Sequence, residues 1–388
     1  METECWRQTR LRVKVLCLAI GFSAICVAAM ATVRAQGSNT ASNINAIAKK
    51  AVEYLSKQGQ AADGSFSAKA GPGVTALVVT SILKNSGNIE NPTVAKGLKS
   101  LEGFVKPDGG IYGSGRLKNY ETCIAMLCFS EANKNGKYTE ILKRAKAFVT
   151  GVQHIAAPGN EDPWEGGSTY GGTGRPDLSN TAYMIEALRA VDAPADDPAI
   201  QRAIAFVSRC QNLKSEFNTT QFADKVNDGG FYYEIPIEKI DPSTSDEKFT
   251  PNGGLRSYGS MTYSGLKSMV YAGLTKDDKR VKAAMEWIQR NYAVNANPGM
   301  GSAGLFYYLN TFAAALDASG LNKVTDANSQ VHNWRSDLVD ELLKRQNPDG
   351  SFSNDNSRWF EDDKNLSTSI ALMALSYCQK KPEKAEAK

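Results

Sequence analysis

Apolar and polar positions alternate along the chain in two textures, and both are clearest near its end. From Asp337 to Arg345 the apolar residues Leu338, Val339, Leu342 and Leu343 fall at i, i+1, i+4 and i+5. Asp340, Glu341, Lys344 and Arg345 fill the other face. That spacing draws one apolar stripe along a 3.6-residue helix. Pro348 and Gly350 end the helix, and Asp349-Gly350 predicts a tight turn leading to Phe352. After a polar loop, Leu366 to Tyr377 is apolar nearly all round, with Thr368, Ala371, Leu372, Ala374 and Leu375. Such a helix needs neighbours on most sides. The unit is an amphipathic helix, a glycine turn with an aromatic, a loop and a buried helix.

Earlier stretches repeat it. Lys50 to Gln58 reads as a first amphipathic helix, Asp63-Gly64-Ser65-Phe66 as its turn, and Val74 to Lys84, with Thr75, as its buried partner. The second unit has Lys96 to Leu101, the turn Asp108-Gly109-Gly110-Ile111-Tyr112, and a helix from Tyr120 to Ala132. The third has Arg144 to Val149 and Gln153, a long loop, and Asn180 to Val191 with Thr181. The fourth has Arg202 to Val207 and Gln211, the turn Asp228-Gly229-Gly230-Phe231, and Met261 to Tyr271 with Thr262. The fifth has Lys282 to Ile288, Pro298-Gly299, and Leu305 to Ala318. No unit buries its own apolar face, so the pairs must stack. Nearly all-apolar second helices favour a closed double ring with those helices inside and the loops gathered at one rim. The fold class expected is therefore all-α, built from six helix pairs. Phe231 to Ile235 is the best strand candidate, as a short loop hairpin.

With 388 residues, 42% hydrophobic and 22% charged, the chain has an ordinary globular balance. Arg7, Arg10, Arg12 and Lys14 precede the apolar run Val15 to Val33, and Val33-Arg34-Ala35 offers small residues for a signal peptidase. Expected boundaries are a signal peptide over 1–35, a flexible lead-in over 36–46, the repeats over 47–380 and a polar tail over 381–388. The product would be exported to a periplasm or the extracellular space, touching a membrane only through an uncleaved signal. The net charge of +4 sits mostly in that segment, which holds five of the 45 basic and two of the 41 acidic residues. The remaining 40 against 39 gives no footprint for a nucleic acid. Cys123, Cys128, Cys210 and Cys378 fall in helical, apolar stretches and read as small core residues. A monomer is expected, since one closed ring is enough to bury the core.

The recurring Lys/Arg-Ala-x-x-aromatic-aliphatic…Gln…Gly-x-aromatic pattern resembles the QW repeat of squalene and terpenoid cyclases, with Phe where that family has Trp. It runs from Lys50 through Gln58 to Gly64 and Phe66, returns around Gln153 and Gln211, and closes with Gln346, Gly350 and Phe352. Gly109-Gly110-Ile111-Tyr112-Gly113 is similar to turns of protein prenyltransferase beta subunits. The resemblance spans residues 45–380 and implies an (α/α)6 toroid with a central cavity. The family's acid motif is Asp-x-Asp-Asp before Thr-Ala. Here that position reads Asp177-Leu178-Ser179-Asn180-Thr181-Ala182, so only the first acid is present. The prenyltransferase zinc set of Asp, Cys and His has no counterpart around His154 or His332. No metal and no cofactor is expected.

What remains is a set of candidate residues. Asp177 is the surviving acid, with the alternative of a helix cap, an alternative that Asn180 shares. Glu165, Trp164, Tyr170 and Arg175 lie in the glycine-rich third loop, as ligand contacts or as inter-repeat packing. Arg256, Tyr258 and Tyr263 form a second group, and Tyr112, Tyr120 and Glu121 a third. Asp177, Glu165 and Tyr263 are the candidates for catalysis and the others for ligand binding. The function expected first is the binding of an apolar or amphiphilic, isoprenoid-like small molecule without cyclase or zinc chemistry. A family enzyme with a divergent site and a polysaccharide-active enzyme stay open beside it.

Overall fold

The computed structural model describes residues 40–237 and 248–379. The expected signal segment, the first residues of the lead-in and the polar tail lie outside the described residues. Within them the fold is all-α, with one two-stranded antiparallel hairpin, Val324–Thr325 against Val331–His332.

Twelve α-helices follow one another among the described residues. α1 covers 40–54 and continues into a π-turn, Leu55–Gly59. Then come α2 (Pro72–Ser86), α3 (Pro92–Glu102), α4 (Lys118–Ala132), α5 (Thr139–Gly151) and α6 (Leu178–Ala190). The rest are α7 (Pro198–Arg209), α8 (Gly259–Tyr271), α9 (Lys279–Arg290), α10 (Leu305–Ala318), α11 (Trp334–Arg345) and α12 (Lys364–Ser376). Odd-numbered helices bury one stripe. α7, for instance, buries Ile200, Ala203, Ile204, Phe206 and Val207 and exposes Gln201 and Ala205. Even-numbered helices are buried almost throughout, as their texture predicts. They pack in a cycle: α2 on α4, α4 on α6, α6 on α8, α8 on α10, α10 on α12, and α12 back on α2.

Three side-chain devices repeat and explain the motif positions. Asp63, Asp108, Asp228 and Asp349 each accept the backbone N–H two residues on, which shapes the turn. Thr75, Thr122, Thr181, Thr262 and Thr368, near the starts of buried helices, each accept the backbone N–H of the residue that leaves the turn. Gln153 donates to its own turn at Gly166 and to Ala199 in the next outer helix, and Gln211 does the same to Gly229 and Arg280. The turn glycine must lack a side chain. At Gly166, with φ +82°, a Cβ would collide with the Arg202 carbonyl of the following outer helix.

Four details differ from the sequence pattern. Gln60, rather than Gln58, makes the repeat-one contact, to Gly64 and Thr93, because the π-turn inserts extra backbone before it. α1 starts at residue 40, inside the segment expected as lead-in, because Ile44 and Ile47 lie on its buried side. Leu343 is 44% exposed, while Glu341 is buried and paired with Arg345 at 2.6 Å. Phe231 to Ile235 forms only isolated bridges, Phe231 with Gln211 and Glu234 with Asp177. Cys123, Cys128, Cys210 and Cys378 are free and buried.

Candidate functional site

Helix α6 is packed by α4, α7 and α8, so its sides are covered. Between Leu178 and Leu188 only Ser179, Tyr183 and Glu186 keep accessible surface. Their i, i+4, i+7 spacing makes one stripe. Matching positions are Tyr120 on α4 and Tyr307 and Asn310 on α10, all half-buried. The rings of Tyr120 and Tyr183 meet edge-on at 5.6 Å, and Tyr183 and Tyr307 lie 6.3 Å apart. Tyr170 from the third loop adds its ring to Tyr120 at 5.6 Å. The Tyr307 hydroxyl sits 2.8 Å from Ser179 Oγ and 3.3 Å from Ser264 Oγ, so it joins α6, α8 and α10. These tyrosines come from three of the even-numbered helices and one loop and gather on one side of α6. Burial raises the hydroxyls of Tyr120 and Tyr183, and pushes that of Tyr307 up to about 12. All stay neutral donors at any ordinary pH. Among the described residues, the hydroxyls of Tyr120, Tyr183 and Tyr258 make no hydrogen bond to protein.

Asp177 caps α6 beside this cluster and is 2% exposed. Its Oδ1 accepts the Asn180 backbone N–H at 2.8 Å and its Oδ2 accepts Asn180 Nδ2 at 2.7 Å. Burial pushes the carboxyl up to about 7, against the donors of Asn180 and Tyr233, with Glu234 adding to the rise. Both oxygens are engaged as acceptors within the cap, so the geometry is that of a helix cap. Arg175 pairs with Glu234 at 3.1 Å on the outer side of the cap. Tyr258, the N-cap residue of α8, is half-buried and lies near enough to Tyr307 and Asp177 for both to raise its hydroxyl, after burial itself.

No protein-family model and no curated protein matches the chain. Among solved structures, it is similar to variants of the type II terpene cyclase MstE from Scytonema. One is in complex with the substrate geranylgeranyl dihydroxybenzoate, at a TM-score of 0.35 and 14% identity over 88% of this chain and 99% of that one. Another, in complex with the product merosterolic acid A, aligns at a TM-score of 0.32 and 14% identity over 88% and 98%. An apo form aligns at 0.33 and 13% over 88% and 98%.

The structure thus brings together Asp177, Asn180, Tyr120, Tyr170, Arg175 and Tyr258. It places the other candidates elsewhere. Tyr112 donates to Asp108 at 2.8 Å and packs on Phe148. Buried Glu121 accepts the Gly113 backbone N–H at 2.9 Å and abuts Gly71 at the start of α2; burial raises its carboxyl. Trp164 Nε1 donates to the Ile235 carbonyl at 2.8 Å, and Glu165 accepts from the Ala156 backbone. Arg256 donates to the Phe249 carbonyl at 2.8 Å on the surface. Tyr263 is fully buried against Tyr308 and Phe312, with its hydroxyl unpartnered among the described residues. In these places they hold loops and repeats together. Among the described residues no group of three or more His, Cys, Asp or Glu side chains is placed to hold a metal ion, and no helix is long and apolar enough to cross a membrane.

Sequence reasoning passed over Tyr183, Tyr307, Ser264, Lys267 and Glu186. Two of them carried a signal: Lys267 and Glu186 are charges in the middle of helices that are mostly apolar or small.

Proposed function

We propose that this chain binds an apolar or amphiphilic small molecule in the space its even-numbered helices enclose. In this reading the six helix pairs form an (α/α)6 toroid with the loops at one rim. The closed order of helix contacts, with α12 against α2, supports that architecture. The observation that carries the function is the stripe of tyrosines. Tyr120, Tyr183 and Tyr307 come from three different inner helices, Tyr183 meets each of the other two, and all keep surface that no helix covers. Aromatic rings supply large apolar contact, and the free hydroxyls of Tyr120 and Tyr183 supply a few fixed donors, which is the make-up of a small-molecule site. The ligand class is isoprenoid-like, as the repeat resemblance implies. Ser179 and Asn180 at two acid positions, and Asp177 engaged in capping, support binding without cyclase chemistry. Export after loss of residues 1–35 and a monomeric state belong to the same proposal.

Native mass spectrometry of the protein purified from its own compartment tests this, with lipid extraction of what co-purifies. A stoichiometric amphiphile, lost in Tyr183→Ala, is the expected result. A protein that arrives empty and takes up no added isoprenoid would end the proposal.

A further inference from the structure

One turn beneath the Tyr307 hydroxyl the stripe changes character. Lys267 on α8 lies a turn below Ser264, and Glu186 on α6 a turn below Tyr183. Lys267 Nζ and Glu186 Oε2 are 2.6 Å apart. The ammonium also stands 6.0 Å over the Tyr183 ring, the ring that lines the proposed site. Lys267 is only 3% exposed.

A lysine ammonium carries three donors. Among the described residues Lys267 uses one, toward Glu186. Glu186 accepts through Oε2 alone, and its Oε1 has no protein donor. On α10, one turn below Tyr307, Asn310 Oδ1 is buried and unpartnered. A buried ion pair is costly unless its remaining donors and acceptors are met. Here donors and acceptors are left over on three helices that share the tyrosine stripe.

Resting on the binding function proposed above, we infer that the Lys267–Glu186 pair is the head-group subsite, and that it selects a hydroxyl-bearing amphiphile. A hydroxyl accepts from Lys267 and donates to Glu186 in one contact. A hydrocarbon leaves these groups unmet. A carboxylate adds a negative charge where Glu186 already balances Lys267, and it brings no proton for the spare acceptors. The apolar chain of the ligand then runs back along Tyr183, Tyr307 and Tyr120.

Equilibrium dialysis of the full chain against farnesol, farnesene and farnesoic acid tests the inference. Farnesol should bind at least tenfold tighter than the other two. Removing one partner alone strands a buried charge, so the informative variant is the double replacement Lys267→Met with Glu186→Leu, which keeps the volume and removes both charges. It should keep farnesene binding, which shows that the fold and the tyrosine site survive, and lose the preference for farnesol. Equal binding of all three by the wild type overturns the head-group inference and leaves the binding function standing. So does a preference that persists in the double variant, as it would if water alone met these groups. Failure of all three to bind the wild type overturns both.

Discussion

Gln346 Nε2 lies 3.0 Å from the carbonyl oxygen of Ile47, 299 positions earlier in the chain. Gln153 and Gln211 make the same contact to the next outer helix, so the last repeat treats the first as its successor. Gln346 also donates to its own turn at Gly350, whose absent Cβ leaves room for the Lys50 carbonyl. Gln346→Ala should therefore cost about 1 kcal/mol, as the loss of a hydrogen-bonding side chain does at a part-buried site. Urea unfolding should stay a single transition. A second, earlier transition appearing in this variant would show that the seam opens by itself. No change at all would show that the contact between the ends holds nothing.

The turn glycines separate two costs that are usually mixed. Gly115 and Gly166 both have positive φ, +84° and +82°. Around Gly115 a Cβ meets nothing, whereas at Gly166 it meets the Arg202 carbonyl. Gly115→Ala should cost about 1 kcal/mol, the left-handed strain alone. Gly166→Ala should cost several kcal/mol or prevent folding, because backbone on both sides has to move. Thermal melting of the pair decides it, and equal losses would mean that the outer helix gives way freely.

Asp177 should impose a pH dependence on stability. Its folded-state carboxyl is held up at about 7 by burial, well above its unfolded value of about 4. Below the unfolded value both states are protonated and nothing is lost. As pH rises toward 7 the unfolded state ionises first, so stability falls by up to about 4 kcal/mol across that window. Asp177→Asn can still cap α6 and cannot ionise. It should flatten the stability profile between about pH 4 and 7 and leave the variant more stable than the wild type at pH 8. Profiles that stay parallel would place the wild-type dependence in another group.

Asp349 acts in the opposite sense. Burial would raise its carboxyl, but hydrogen bonds from Lys364 and Ser351 outweigh that and hold it down at about 2. The stability it contributes is present above its unfolded value and is lost as pH falls from about 4 toward 2. Asp349→Asn should remove part of the acid-induced loss in that range, measured by denaturant midpoints at pH 2.5 and 5. An unchanged difference between the two midpoints would exclude Asp349 as a source.

Trp359 and Phe360 adopt left-handed backbone in succession, at φ 59° and 63°. The Trp359 ring sits against Gly304 at the start of α10, and buried Glu361 accepts the Tyr307 backbone N–H at 2.8 Å. Phe360 itself is 72% exposed. Phe360→Gly removes strain and little packing, so it should raise stability by up to about 1 kcal/mol. A lower melting temperature would show that the exposed ring has a partner to lose.

The local patterns were legible because they are local in cause. A 3.6-residue stripe, a turn aspartate that binds two residues on, and a threonine that meets its own repeat's turn all act within one unit of sequence. Thus the helices of the six pairs and the Gly64 and Gly350 turns could be read from spacing, whereas Gln153, Gln211 and Gln346 were marked only by the repeat resemblance and their reach to the next pair was decided by stacking. Gln60 could not, because a π-turn shifts the register and leaves no composition signal. The start of α1 at residue 40 escaped for a related reason, since Ile44 and Ile47 stand among polar residues and their burial depends on the rest of the fold.

By itself the sequence determined an all-α chain of alternating half-buried and buried helices, and the motif residues that lock each turn. Only the tertiary structure decided which faces meet. Ser179, Ser264 and Tyr307 come from three helices separated by long stretches of chain, and one hydroxyl joins them. Lys267 and Glu186 are 81 positions apart. Helix periodicity states which residues share a face, but not which other helix that face looks at. That choice is made by the packing of all the even-numbered helices together, and it brings polar residues of separate apolar helices into contact.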